Sequence, residues 1–416
     1  IEKEEDDPDW ATAKSILTEL LNNRAEMKSY DRSVMWNYWG YLYFSDEDYD
    51  QAMYAYEQLL KEPEATVPLR TASLLTLAQL NLVKERWDKG IDLILQWMDE
   101  VETVTAQSYY LLASAYFQKT DYVRARSNME EAIRLAEEEG YRPKENWYVL
   151  LAACFSELKD KKIISAQFAL EQQVGIYEIL VNYYPKKMYF LQLGGTYQQM
   201  DREEDYMLTL KAAFDKDFLD KEGEYLALAQ LLLIKKNPYW AAQVLVAGQD
   251  KKVTIKDEDT GEEEIVAVVK DKEKTLKLLA DAWRMAQEID MAIPVLEKAA
   301  KMSKDGDTYV LLGNLYLFED RMEDSIRAIE AGLKKPKVKS RSQALLVLGQ
   351  AHFELQNFEE AKKQFRAAAR DENKRIKKTA NSWIKYAENE EVRVKNLALR
   401  RDFIQQSKAK SKEKNS

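Results

Sequence analysis

The chain has 416 residues, 46% hydrophobic and 32% charged, with 13 Gly, 8 Pro and a formal net charge of −10. That balance supports a large buried core in a soluble chain, and so few breakers over such a length favour helices joined by short turns. Phosphate binding needs a basic face, so the negative net charge argues against nucleic acid as the main partner, and a single cysteine, Cys154, leaves no intramolecular disulfide.

No apolar run approaches the ~20 residues that span a bilayer. Tyr225 to Ile234 comes nearest, and it is short and interrupted by Gln230. No transmembrane segment is therefore expected in the given chain. The start at Ile1, without Met, is what a removed leader or a trimmed start would leave.

In chain order, residues 1–30 read as an acidic N-terminus and a capping helix. Six acidic side chains fall within residues 1–10, and Trp10 to Leu21 is amphipathic, with Ala13, Leu17 and Leu20 on one face. Then one pattern recurs. A large apolar residue is followed three positions on by another, then at once by a small residue, and often by an aromatic three further on; a second small residue tends to follow twelve after the first. Trp36, Trp39, Gly40, Tyr43 and Ala52 show it first, and Tyr109, Leu112, Ala113, Tyr116 and Ala125 repeat it. Phe190, Leu193, Gly194 and Tyr197 follow, then Leu276, Leu279, Ala280, Trp283 and Ala292, and finally Leu345, Leu348, Gly349, His352 and Ala361.

Close helix packing explains the pattern. Two helices of a hairpin approach only where small residues meet, and large residues at helical spacing fill the gaps to the next hairpin. The pattern resembles the tetratricopeptide repeat over most of the chain. The resemblance implies an all-α fold, a right-handed α-solenoid of about nine helical hairpins; terminal capping helices and one small β-hairpin insertion are read from the residues themselves. The small anchors are Gly40, Ala78, Ala113, Leu151, Gly194, Ala229, Ala280, Gly313 and Gly349, with Leu151 out of character because it is not small. Hairpins 1–6 are expected over 31–249 and hairpins 7–9 over 274–371. A lengthened hairpin is expected around Lys161 to Gln172. The insertion, 250–273, alternates apolar and polar residues on either side of Asp259-Thr260-Gly261, the mark of a β-hairpin. A C-terminal capping helix is expected over 372–405, with Trp383, Ile384 and Tyr386, and a Lys-rich flexible tail over 406–416. The acidic start and the Lys-rich end are read as solvated; their opposite charges would also suit head-to-tail contact or an anionic surface.

Chemistry finds few parts. The lone histidine, His352, stands where other repeats place a tyrosine and is read as a packing substitute; Cys154, at the matching place in the fourth hairpin, is read as a small buried hydrophobe. One histidine supplies neither a metal site nor a base for a thiol. The run Asp257 to Glu264 is out of register with a calcium loop and is read as a polar turn. No catalytic residue, metal or cofactor is expected, and the chain is read as a non-catalytic interaction scaffold.

In tetratricopeptide proteins the first helix of each hairpin lines a concave groove. The resemblance carries that role to the positions three before, one after and four after each anchor. These are Asn37, Tyr41 and Phe44, then Leu75, Gln79 and Leu82, then Tyr110, Ser114 and Phe117, then Tyr148, Ala152 and Phe155. Leu191 and Gln198 follow, then Leu226, Gln230 and Leu233, and Lys277, Asp281 and Arg284. Rings interleaved with amides suit an extended or proline-rich segment, since rings pack on prolines and amides bond the peptide backbone. The expected partners are therefore other proteins; the sequence does not set the oligomeric state.

Shorter phrases narrow the resemblance. Pro143-Lys144-Glu145-Asn146-Trp147, Tyr184-Pro185-Lys186-Lys187, Leu228-Ala229-Gln230-Leu231 and Ala292-Ile293-Pro294-Val295-Leu296 resemble periplasmic tetratricopeptide proteins of the TonB–ExbB–ExbD energy-transduction systems of marine Gram-negative bacteria. This implies a mature periplasmic scaffold for uptake, bound to TonB-like or ExbD-like periplasmic segments. The alternatives are a cytoplasmic adaptor or regulatory subunit using the same groove, and an enzyme or carbohydrate-processing accessory whose chemistry escapes motif reading.

Overall fold

Long apolar helical runs separated by gaps of a few polar residues can bury their faces only by folding back on their neighbours. The computed structural model, which describes residues 10–256 and 263–414, shows this arrangement in two compact units, Ile1–Thr209 and Leu210–Ser416.

The first unit opens with the capping helix α1 (Trp10–Asn22). Hairpins follow from α2 (Ser29–Ser45) with α3 (Tyr49–Leu60), α4 (Val67–Val83) with α5 (Trp87–Glu100), and α6 (Ala106–Gln118) with α7 (Tyr122–Glu138). Next come α8 (Glu145–Asp160) with α9 (Ala166–Tyr183), and α10 (Lys187–Gln199) with α11 (Glu203–Asp215), the helix that contains the unit boundary. The second unit continues with α12 (Glu222–Ile234) and α13 (Pro238–Asp250), the strands β1 (Lys252–Lys256) and β2 (Glu263–Ala267), then α14 (Glu273–Met285) with α15 (Ile289–Met302). It ends with α16 (Asp307–Phe318) and α17 (Met322–Leu333), α18 (Arg341–Glu354) and α19 (Phe358–Ala368), and the long α20 (Lys374–Lys414). Among the described residues this is an all-α fold of paired hairpins with one small antiparallel ribbon.

The small anchors sit where two helices of a hairpin meet. Gly40 faces the ring of Tyr56, Gly313 faces Ile329 and Gly349 faces Phe365. Ala52, Ala78, Ala113, Ala125, Ala229 and Ala292 are fully buried. Among the described residues first helices of successive hairpins touch at α2 with α4, α6 with α8, and α16 with α18, and no pair of second helices makes comparable contact. First helices therefore line the inner side of each stack.

The turns inside the hairpins share one device. A single non-glycine residue adopts the left-handed conformation in each: Glu47, Glu85, Thr120, Lys162, Asp201, Lys236, Gln287, Asp320 and Gln356, with φ between 56° and 65°. The next amide then donates back to the carbonyl five residues earlier, as Asp48 does to Tyr43 and Asp121 to Tyr116, both at 2.9 Å. This satisfies a carbonyl left over at the helix end. In eight of the nine turns the accepting residue lies three after the small anchor: Tyr43, Asn81, Tyr116, Tyr197, Leu232, Trp283, Tyr316 and His352.

The fourth hairpin departs from the expected register. Its acceptor is Leu158, bonded by the amide of Ile163 at 2.9 Å. The buried residues of α8 are Trp147, Tyr148, Leu151, Ala152, Cys154, Phe155 and Leu158. Tyr148, Leu151, Ala152 and Phe155 reproduce the recurring pattern with a small residue in the small position, so the anchor is Ala152 and not Leu151. The acceptor lies three residues past Phe155, so α8 is lengthened by nearly one turn before the chain reverses.

The insertion is an antiparallel ribbon in which Val253 pairs with Val266 and Thr254 with Ile265. Its expected turn at 259–261 lies outside the described residues, as does most of the acidic run 257–264. The two valines after β2 are not part of the projection. Val268 and Val269 are buried, their amides donate to the carbonyls of Lys251 and Gly248, and Val269 packs against Gly248.

Both capping helices cover apolar hairpin faces. The indole N–H of Trp39 donates to the carbonyl of Leu17 in α1 at 3.2 Å. In α20, Ala380 and Ala387 are fully buried and Trp383 stacks on Phe365 with ring centroids 5.5 Å apart. The buried Lys362 of α19 donates to Glu359 and to Glu391 of α20, and hydrogen bonds from Lys362 and Lys395 hold the Glu391 carboxyl down at about 2. Where the sequence reading expects a flexible tail from 406, helix α20 continues to Lys414; the acidic residues 1–9 lie outside the described part.

Candidate functional site: the first-helix face

The face three before, one after and four after each anchor is presented by the first helices, so its character follows from which residues fall there. On α2, Tyr41 and Phe44 are exposed, at 57% and 44%, and Asn37 is half-buried. Phe44 leans on Tyr49 of α3 with centroids 5.9 Å apart. On α4, Gln79 is exposed, and Leu82 packs down over Gly90 of α5. On α6, Tyr110, Ser114 and Phe117 are half-buried. Tyr110 stacks on Trp147 of α8 at 5.5 Å, and its hydroxyl accepts from the side-chain amide of Asn146 at 2.8 Å. Phe117 meets the edge of Tyr122 at 5.1 Å. Gln198 on α10 and, in the second unit, Gln230 on α12 are exposed.

Tyr148 and Phe155 do not belong to this face. They are 4% and 2% exposed. Phe155 lies edge-on to Phe168, under the guanidinium of Arg126. The Tyr148 hydroxyl donates to Glu137 at 3.4 Å, and burial pushes it up to about 12. The cause is the one-residue register shift in α8: a step of one residue turns a side chain by about 100° around a helix, here from the outer face into the core. The α8 residues that take the expected positions are Val149, which is exposed, and Ala153 and Ser156, which are half-buried. On α10 the equivalent position falls on Gly195, where a β-carbon would meet open space.

Sequence reasoning missed an apolar opening of the first unit. Ala13, Ile16, Leu17 and Leu20 of α1 and Tyr38, Tyr41 and Leu42 of α2 surround a depression of about 290 Å³. Ile16 and Tyr38 are more than half exposed. The signal was present in the apolar run of α1, which carries more large residues than one buried stripe needs.

The groups considered for chemistry are elsewhere. Cys154 is fully buried, and burial with Glu130 nearby pushes its thiol up to about 12, away from the thiolate form. Burial lowers the basicity of His352. Among the described residues no three His, Cys, Asp or Glu side chains are placed to hold a metal ion, and no helix is long and apolar enough to cross a membrane. In the second unit the matching face of α14 is charged and internally paired: Arg284 with Asp281 at 3.1 Å, and Lys277 with Glu273 at 2.6 Å.

Comparison with known proteins agrees with the repeat reading. Tetratricopeptide repeat family models match residues 106–139 and 310–374. No curated protein matches the chain. Among solved structures, a crystal structure of MamA is 19% identical, covering 46% of this chain and 94% of its own, with a TM-score of 0.35. YrrB, described as a TPR protein with an unusual peptide-binding site, is 16% identical over 48% of this chain and 91% of its own, with a TM-score of 0.34. A tetratricopeptide repeat protein from Parabacteroides merdae is 14% identical over 68% of this chain and 98% of its own, with a TM-score of 0.27.

Proposed function

Given a tetratricopeptide repeat protein with matched repeats in each of its two units, we propose that it is a protein-binding scaffold whose first unit holds an extended partner segment along its first-helix face. The observation that supports this most is the exposure of Tyr41 and Phe44 on one side of α2, beside the apolar depression at Ile16, Leu20 and Tyr38. Gln79 and Ser114 continue the row with amide and hydroxyl groups. Exposed rings held on a rigid helix lose little freedom on binding, and a preformed polyproline segment has little left to lose.

The finer part of the reading is a periplasmic scaffold of a TonB-type uptake system, bound to a Pro-rich TonB-like or flexible ExbD-like segment. It rests on the four sequence phrases that resemble that group. Titration of a purified TonB-like periplasmic segment against the parent, a Tyr41→Ala/Phe44→Ala variant and a Glu130→Ala control tests both parts. Hot-spot aromatics each contribute roughly 1–2 kcal/mol or more, so the double variant should lose binding while the control keeps it. A parent that fails to bind removes the TonB assignment; a folded double variant that binds like the parent removes this face as the site.

A further inference from the structure

The start of α20 carries a concentration of positive charge that the rest of this acidic chain does not explain. Between Lys374 and Lys385 stand Lys374, Arg375, Lys377, Lys378 and Lys385, with no carboxylate among them. Lys374, Lys378, Asn381, Ser382 and Lys385 follow helical spacing and share one side of the helix. With Lys377 they line a shallow depression of about 430 Å³. A second depression, of about 370 Å³, adjoins it beside Trp383 and Tyr386. Further along the same helix Arg393 is matched with Glu390 and Lys395 with Glu391. Among the described residues none of the four lysines at the start has an ion-pair partner.

This arrangement costs the helix stability. Like charges four apart on a helix repel, and cations in a first turn oppose the helix dipole. The α20 first turn holds no acidic residue. An anionic occupant would relieve both terms. The chain itself has a segment of the required charge: Glu2, Glu4, Glu5, Asp6, Asp7 and Asp9, with only Lys3 against them. The dimensions agree. Glu4 to Asp9 spans about 17 Å when extended, and Lys374 to Lys385 spans about 16 Å along a helix.

We propose that the lysine face of α20 binds the acidic segment Glu2–Asp9 of a second copy of this chain. The two patches differ, so the contact is heterologous: it either closes into a ring or leaves an unused acidic segment and an unused lysine face at the ends of an open assembly. Each exposed ion pair contributes little alone, so the contact is weak, reversible and sensitive to salt.

Sedimentation of the full chain over an about hundredfold concentration range tests this. The average mass should rise with concentration at low salt. It should return to the monomer near 0.5 M salt, where screening acts within a few ångströms. A lysine-face variant, Lys377→Glu/Lys378→Glu/Lys385→Glu, and a segment variant, Glu4→Lys/Glu5→Lys/Asp6→Lys, should each stay monomeric with unchanged helicity. An equimolar mixture of the two should associate again, because each now complements the other. A milder Lys377→Gln/Lys385→Gln variant should weaken association about tenfold, and serves if the triple variant fails to fold. A parent that is monomeric at low salt overturns the proposal. So does association that survives either charge reversal, or a mixture that stays monomeric, the result expected if the segment pairs within its own chain.

Discussion

Gly349 lies under the ring of Phe365: a β-carbon on the glycine would stand 2.5 Å from Cε1 of that ring. Gly40 has the same relation to Tyr56, at 2.6 Å, whereas Gly194 leaves 3.1 Å to Tyr206. The small anchor is thus a steric requirement whose strictness varies with the partner ring. Alanine gains about 1 kcal/mol over glycine in a helix interior, while overpacking costs about 1–3 kcal/mol. Gly40→Ala and Gly349→Ala should therefore lower stability in urea unfolding, and Gly194→Ala should lie within about 0.5 kcal/mol of the parent.

The hairpin turns should accept glycine with profit. Thr120 is β-branched and holds φ at 64°, and Gln287 holds 65°. The left-handed conformation costs such residues about 1–2 kcal/mol, part of which glycine gives back through its freer unfolded chain. Thr120→Gly and Gln287→Gly should each raise stability by about 0.5–1 kcal/mol in denaturant titration. The converse change at Gly140, whose φ is 77°, should lower it.

The ribbon and its root should behave differently. Joining Lys251 to Val268 through a short Gly-Ser turn removes only the two strands and their connection, and should leave the melting temperature within a few degrees of the parent. Val269→Ala opens space against Gly248 and Tyr225 in the core and should cost about 1–2 kcal/mol. If excision of the strands and the Val269 change prove equally harmful, the ribbon is itself part of the core.

His352 should couple stability to pH. Burial holds its folded basicity below the ordinary value, opposed by Glu360 and Glu330 and assisted by Lys363, and its buried Nδ1 has no hydrogen-bond partner. The unfolded chain binds the proton more readily. The stability contributed is therefore complete above the ordinary value of about 6.5 and declines as pH falls from there through the lower folded value. His352→Phe should flatten unfolding free energy across that window and raise it in the acidic part. An unchanged pH profile would mean that His352 titrates freely.

Phe155 separates a core role from a binding role. At 2% exposure, Phe155→Ala should cost about 3–5 kcal/mol, whereas Phe44→Ala should leave the melting curve nearly unchanged.

Most of the architecture is legible because the packing rule is written locally. Gly40 with Ala52, or Ala113 with Ala125, can be read as a small pair at fixed spacing without knowing anything else about the fold. The fourth hairpin departs from its expected register for an equally local reason. Leu150-Leu151-Ala152-Ala153 offers two phases to the same pattern, and the lengthening that settles the phase appears only in the hydrogen bond from Ile163 to Leu158. That single-residue ambiguity turned Tyr148 and Phe155 from core to groove in the sequence reading. The left-handed turns gave no signal because Glu, Lys and Gln occupy positions where glycine would have marked them. Val268 and Val269 looked like the continuation of a strand, and only their burial identifies them as a root.

Helix α20 keeps its regular form well past the last residues that pack against α19. An isolated helix must first close a turn at a large entropic cost, and most helical stability in proteins comes from packing of an apolar face and not from propensity. Here the part seated on Phe365 and Lys362 is already wound, so each later residue has only to add a hydrogen bond to an existing end. The stretch after Lys395 is thus templated by its neighbour. Cut free as a peptide it should be mostly coil, and within the chain its amides should exchange with solvent in a gradient, fastest at the far end and slowing toward Val394.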